Sequence, residues 1–148
     1  MLEGFFMYVF LDSNFCFTDP FLQKNMYNRL LIELAEKEYI NLYVSEVVRK
    51  EILNNFRREL EKYFGNIKTN VSKVTKLLRE EDKSPINWNQ SIDDYVEELD
   101  TYWTELEKKG IIEIIPYSNE MLPELVDRSI KRIKPFTEKK LEFRDAII

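Results

Sequence analysis

Hydrophobic and polar positions change their spacing several times along the chain, and each change marks a predicted element. Short apolar, β-prone runs occupy residues 8–11, 40–44 and 111–117. Between and after these runs, apolar residues recur at the three-and-four spacing of helices with one buried face. The pattern predicts the order β-α-β-α-α-α-β-α-α. Its first β-α-β unit predicts a parallel sheet with a right-handed crossover.

Small polar residues before the helical runs set the predicted helix starts. The predicted N-caps are Asp19, Ser45, Ser91 and Asn119. Apolar positions expected to face inward after the second strand are Val48, Ile52, Phe56 and Leu60. A longer stripe, expected to be core rather than a base-stacking surface, comprises Ile92, Tyr95, Val96, Leu99, Tyr102, Trp103 and Leu106. Inward positions after the third strand are Leu122, Leu125, Val126, Ser129, Ile130 and Ile133.

Length and composition indicate one domain over residues 1–148, since 148 residues with 44% hydrophobic content can bury a sizeable core. We expect a three-layer α/β sandwich with a central parallel sheet and a helical insertion, roughly residues 56–109, between strands two and three. The apolar run at residues 5–11 is too short for a membrane span and has no basic residue before it. A cytoplasmic protein without membrane association is therefore expected.

The side chains available for chemistry are restricted. The sequence contains no histidine, which excludes Ser-His-Asp and Cys-His catalysis and histidine-zinc sites. The single cysteine, Cys16, cannot form an internal disulfide and is expected to be a small buried apolar residue. Any enzyme built on this sequence must use carboxylates, lysines or tyrosines.

Three acidic residues from distant parts of the chain are expected to approach one another. Asp12 ends the first strand, Glu51 lies about two turns into the helix after the second strand, and Asp145 lies near the start of a late helix. Functional groups gather at the carboxyl ends of parallel strands. Because converging carboxylates repel one another, such a group normally holds a hard divalent cation, here Mg²⁺ or Mn²⁺. The chemistry indicated is phosphodiester hydrolysis by metal-activated water.

Each acid also has an ordinary structural explanation. The stretch Asp12-Ser13-Asn14 is compatible with an Asx turn, and Glu51 with a solvated helix position. Asp145 is compatible with an ion pair to Arg144 or with a helix cap. A phosphatase of the haloacid-dehalogenase kind is disfavoured, because Asp12 is not followed by a second aspartate.

Charge is segregated along the chain despite a net charge of −5. Residues 128–144 contain seven basic and two acidic residues, a local excess of five positive charges. A local basic patch attracts polyanions even on an acidic protein, because salt screens charges that lie beyond about 10 Å. A solvated helix face is the other explanation of the same run.

Three stretches together resemble the PIN domain, a family of metal-dependent nucleases. They are YVFLDSN at residues 8–14, LYVSEVVRKEI at residues 42–52 and KPFTEKKLEFRDAII at residues 134–148. The last is similar to a late Lys-Pro-Phe and Arg-Asp-Ala motif in one branch of the family. The resemblance implies RNA as substrate, Mg²⁺ or Mn²⁺ as cofactor, and an inhibitor or antitoxin as a further partner.

Carried over residue by residue, the resemblance implies Asp12, Glu51 and Asp145 as catalytic metal ligands. It also implies that Asn14 hydrogen-bonds to a ligand. Glu46 is an alternative to Glu51, although the register of the motif favours Glu51. The candidate phosphate contacts are Arg128, Lys134, Lys139 and Arg144.

The family usually continues beyond the Arg-Asp-Ala helix into a strand that carries another acid, whereas this sequence ends at Ile148. We therefore expect either a fragment that lacks its C-terminal strand or a site with three acids, and we favour the fragment. The main hypothesis is a metal-dependent endoribonuclease. The alternative is a catalytically incompetent PIN fold that binds nucleic acid or protein.

Overall fold

The computed structural model describes residues 7–66, 73–79, 91–131 and 133. Its strands are β1 (Met7–Leu11), β2 (Ile40–Ser45) and β3 (Ile112–Ile115). Its helices are α1 (Ser13–Cys16), α2 (Met26–Glu36), α3 (Glu46–Phe64), α4 (Ile92–Lys108) and α5 (Leu122–Ile130). A 3₁₀ turn, Asn119–Met121, precedes α5, and residues 73–77 are also helical.

The three strands form one parallel sheet in the order β1-β2-β3. Leu11 pairs with Val44, and Ser45 pairs with Ile115, so the carboxyl ends of the strands lie at the same edge. The predicted parallel sheet is confirmed. No helix within the described ranges is both long enough and apolar enough to cross a bilayer.

The two faces of the sheet have different surroundings. Both connections run in the same direction across the sheet, and right-handed crossovers in one direction place their helices on the same face. Core residues on that face include Leu11, Leu42, Val44 and Ile112, which join the buried side chains of α3 and α4. On the other face, Tyr8 is 61% and Phe10 is 68% exposed. The rings of Phe10 and Tyr43 stack there, with centroids 5.1 Å apart.

The long helices α3 and α4 follow the sequence prediction closely. Ser45 caps α3, since its Oγ accepts a hydrogen bond from the backbone N–H of Val48 at 3.1 Å. Ser91 and Asp94 form a reciprocal capping box at the start of α4. The predicted inward positions of α3 are all buried, and those of α4 are buried or half-buried. The aromatics of α4 are therefore core, as predicted.

The predicted cap at Asp19 is wrong. Helix α2 begins at Met26 with Asn25 as its N-cap. Asp19 instead lies buried in the loop before the helix, where its carboxylate accepts hydrogen bonds from the backbone N–H groups of Gln23, Lys24 and Asn25. The side-chain amide of Asn28 donates a fourth. The sequence signal was that of a cap, but the three backbone groups that donate to Asp19 lie in the loop before α2.

The prediction for the helix after β3 is wrong in two respects. Ser118, rather than Asn119, provides the cap, and it caps the 3₁₀ turn that precedes α5. Of the positions expected to face inward, only Leu125 is buried, whereas Ile130 is 75% exposed. Helix α5 ends at Ile130, and Lys134, where we expected the break, lies outside the described residues.

The region predicted as a helical insertion, residues 56–109, contains the second half of α3, the helical residues 73–77 and α4. Because α3 continues through residue 56 without a break, the start of the insertion is not an element boundary. Its status as an insertion stays a prediction. The α/β sandwich itself is confirmed.

Candidate functional site

Asp12 lies at the carboxyl end of β1, where the strand turns into α1. Its extended backbone makes it the N-cap, and Oδ1 accepts the backbone N–H of Ser13 at 2.8 Å. The side-chain amide of Asn14 donates to Oδ2 at 3.0 Å. The residue is exposed, so further lone pairs of both oxygens face solvent. The carboxylate is thus oriented by the chain and accessible to a ligand.

Glu51 is half-buried on the second turn of α3. Residues four apart share one stripe of a helix, so Glu51, Asn55 and Glu59 form a row. Asn55 and Glu59 border the same groove as Phe17 and Thr18, which follow α1 directly. Helices α1 and α3 pack against each other, and the Oε1 atom of Glu51 is shielded from solvent. Glu51 therefore lies on the stripe of α3 that continues into the groove beside Phe17 and Thr18.

Glu46 has different surroundings, on the β3 side of the edge. Its Oε1 atom lies 2.9 Å from Nζ of Lys50, and that hydrogen bond holds the pKa of Glu46 below its ordinary value. The Lys50 ammonium also donates to the hydroxyl of Tyr117 at 3.2 Å and lies 4.8 Å from the centre of the ring. Its pKa is raised, chiefly by Glu46. Glu46 is engaged in this network with Lys50 and Tyr117.

The Glu46–Lys50–Tyr117 network was missed at the sequence level. The four-residue spacing of Glu46 and Lys50 could have predicted the ion pair, because such pairs face each other on a helix. Tyr117 lies 67 residues beyond Lys50, and no local pattern connects the two. The network joins the start of α3 to the segment that follows β3.

Most of the late basic residues singled out in the sequence lie outside the described residues, namely Lys134, Lys139 and Arg144. Asp145 lies outside them as well. Arg128 is half-buried on α5 and lies 4.0 Å from Glu124. Within the described ranges, no cluster of three or more potential metal ligands occurs. Of the three predicted acids, the structure describes Asp12 and Glu51.

These two carboxylates fit a hard cation by their chemistry. Both offer oxygen, and the chain has no histidine, so the donor set suits Mg²⁺ or Mn²⁺ better than a metal that prefers nitrogen or sulfur. Asn14 fixes one oxygen of Asp12 by a hydrogen bond. Hydrogen-bond donors of this kind orient the carboxylates that hold metals.

Cys16 is not a plausible nucleophile. It is fully buried one helical turn from Asp12, as the sequence predicted. Burial, with the nearby charges of Asp19 and Asp12, raises the pKa of its thiol to about 12. Because the thiolate is the reactive form, the group is inert near neutral pH.

The sequence matches the PIN domain family over residues 9–148. The chain belongs to the PIN domain family. PIN domains are generally nucleases that act on nucleic acids and typically use divalent metals, so the fold is of a nuclease type. No curated protein matches the chain, and neither does any solved structure. The match covers both described carboxylates of the candidate site and Asp145.

Proposed function

We propose that this PIN domain is a Mg²⁺- or Mn²⁺-dependent endoribonuclease. The observation that carries the proposal is the position of Asp12 and Glu51: one ends β1, and the other lies on α3, which packs against the α1 connection that follows β1. In a parallel sheet, this carboxyl edge is where functional groups converge. Asp145 completes the proposed ligand set from the late part of the sequence.

The residues have separate roles in this proposal. Asp12, Glu51 and Asp145 hold the cation, and Asn14 fixes the orientation of Asp12. Arg128, Lys134, Lys139 and Arg144 contact the phosphate backbone. A bound divalent ion supplies an acidified water and stabilises the charge of the phosphate undergoing transfer. We further propose that the enzyme acts in the cytoplasm and that an inhibitor or antitoxin controls it.

The test is cleavage of a labelled RNA in the presence of Mn²⁺ by the parent, Asp12→Asn, Glu51→Gln and Asp145→Asn. Replacing a residue that merely orients a metal ligand costs about 10- to 100-fold. We therefore expect at least about a 100-fold loss from replacing a ligand itself, and a smaller loss for Asn14→Ala. Asp127→Asn, on an exposed part of α5, is the matched control. Equal cleavage by parent and Asp12→Asn would refute the proposal.

Metal binding gives a second readout that does not depend on cleavage. A ligand that binds only the folded state raises stability by mass action. We expect Mn²⁺ to raise the melting temperature of the parent and to have a much smaller effect on Glu51→Gln. Glu46→Gln discriminates between the two glutamates, since it should retain the Mn²⁺ response. Loss of the response in Glu46→Gln alone would reassign the ligand.

A second function is favoured by one observation, the open aromatic face of the sheet with Tyr8, Phe10 and Tyr43. A surface of this kind suits a PIN fold that binds protein or nucleic acid without cleaving it. RNA binding that is insensitive to EDTA, together with no cleavage under any metal, would support this alternative over the endoribonuclease.

A further inference from the structure

A groove runs beside the proposed metal site, between α3 and the helical residues 73–77. Its volume is about 370 Å³, within the range of roughly 300–1,000 Å³ that small-ligand sites occupy. Phe17 and Thr18, which follow α1, line it together with Asn55 of α3. Lys73 and Lys76 line it as well. The groove thus combines an aromatic surface with exposed positive charge.

The ring of Tyr63 contacts two lysine side chains on the basic side of the groove. The ammonium of Lys62 lies 4.9 Å from the centre of the Tyr63 ring, and that of Lys73 lies 5.1 Å from it. Contacts of this type are attractive and restrict both lysine side chains. The acid in the groove, Glu59, lies 3.9 Å from the ammonium of Lys62, which balances its charge. Positive charge is therefore in excess, on a chain whose net charge is −5.

The groove begins one helical turn beyond Glu51 on α3, since Asn55 lines it. Glu51 begins the row that Asn55 and Glu59 continue along the groove. At 1.5 Å per residue, Asn55 and Glu59 lie about 6 and 12 Å beyond Glu51 along the helix axis. A single extended polymer can therefore contact the Asp12 edge and the groove together.

We propose that this groove binds the segment of a single-stranded RNA that adjoins the cleaved phosphodiester. Lys73 and Lys76 contact successive phosphates, and the rings of Phe17 and Tyr63 provide the surface against which a base packs. Lysines along a backbone and aromatic rings beside it are the combination that binds single strands without sequence preference. The inference rests on the proposed function only in naming RNA, since binding in the groove does not require catalysis.

The test is binding of a labelled single-stranded oligoribonucleotide in EDTA, measured over a series of salt concentrations. Lys73→Gln/Lys76→Gln is compared with Lys108→Gln/Lys109→Gln, an equal charge change at exposed positions near the opposite edge of the sheet. Each lost phosphate contact lowers the salt slope of single-strand binding by about 0.7. We expect the groove double variant to bind at least about fivefold more weakly with a slope reduced by about 1.4, and the control to match the parent.

Tyr63→Leu tests the aromatic contribution, and we expect about a fivefold or greater loss of affinity. Its unfolding curve shows whether it folds, and the exposed lysine variants keep the test decisive if it does not. Equal affinity and slope in the parent and both lysine double variants would overturn the proposal. An equal loss on double-stranded RNA would overturn the assignment to single strands. Because no cleavage is measured, this outcome is independent of the Asp12→Asn result.

Discussion

Replacing Asp19 by asparagine tests how strongly the loop after β1 depends on one buried carboxylate. Oδ2 accepts three hydrogen bonds, from the N–H groups of Lys24 and Asn25 and from the amide of Asn28, at 2.9 to 3.0 Å. Oδ1 accepts the N–H of Gln23 at 3.1 Å. An asparagine in its best orientation keeps the three hydrogen bonds of Oδ2 as bonds to a neutral oxygen. Its NH₂ group then faces the N–H of Gln23, and the fourth hydrogen bond is lost.

The expected cost follows from these four bonds. A hydrogen bond to a charged group contributes about 1.5–3 kcal/mol and a neutral one about 0.5–1.5 kcal/mol. One lost bond and three weakened bonds, partly offset by the easier burial of an uncharged group, give a loss of about 3 kcal/mol. This is a large part of the 5–15 kcal/mol by which domains are typically stable. With a urea dependence of about 1–3 kcal/mol per molar, the unfolding midpoint falls by roughly 1–3 M.

Urea unfolding followed by tryptophan fluorescence is a suitable assay, because the indole N–H of Trp103 donates to the carbonyl of Pro20, next to Asp19, at 3.1 Å. Asp127→Asn is the control: its partner Lys131 lies four residues away in an exposed pair of a type that contributes about 0.3–0.5 kcal/mol. If Asp19→Asn and Asp127→Asn shift the midpoint equally, the buried carboxylate does not stabilise the loop and the reasoning fails.

Two further predictions concern the core around the site. Arg49 joins α3 to α4, because it donates to the carboxylate and the carbonyl of Asp100 and to the hydroxyl of Thr104. Arg49→Met should therefore lower the free energy of unfolding by about 2 kcal/mol. Arg57→Met, which breaks the exposed pair Arg57–Asp93, should cause a clearly smaller loss, and equal losses in the two variants would contradict the prediction. Because the pKa of Cys16 is raised to about 12 in the folded protein, the unfolded chain loses its thiol proton at a lower pH, and the free energy of unfolding should fall from about pH 9 to pH 12. In denaturation curves measured across this range, Cys16→Ala should lack about 1.4 kcal/mol per pH unit of that fall. Equal pH dependence in the parent and Cys16→Ala would refute the assignment.

The parts of the fold that the sequence predicted correctly depend on local signals. Ser45 and Ser91 are helix caps because each donor lies three residues along the chain. The buried stripes of α3 and α4 follow from the helical period alone. Cys16 is buried as its residue type suggests. In each case the predicted feature depends on residues that lie within one or two helical turns of one another.

The parts that the sequence did not predict depend on distant partners. Asp19 resembles a helix cap until Asn28, nine residues later, is placed beside it. Leu122 and Ile130 follow a buried helical pattern, but both are exposed on α5, because the period identifies an apolar face without identifying what that face contacts. The Lys50–Tyr117 bond joins residues 67 apart.

The candidate site is intermediate between these cases. The position of Asp12 at the end of β1 could be read from the apolar run that precedes it. The packing of α3, which carries Glu51, against α1 is a contact that no spacing rule supplies. The choice between Glu51 and Glu46 similarly depends on Lys50 and Tyr117, which hold Glu46 on the β3 side.

The bond from Trp103 to Pro20 also bears on how the protein is made. The two residues are 83 positions apart, so the contact between α4 and the loop behind Asp12 cannot form until α4 has left the ribosome. A nascent chain that has already released β1, β2 and α3 has the local hydrogen bonds of Asp19 but still lacks this contact. The order of synthesis thus delays completion of the loop beside the carboxylate edge, and a polypeptide interrupted before α4 would lack its bond to Trp103.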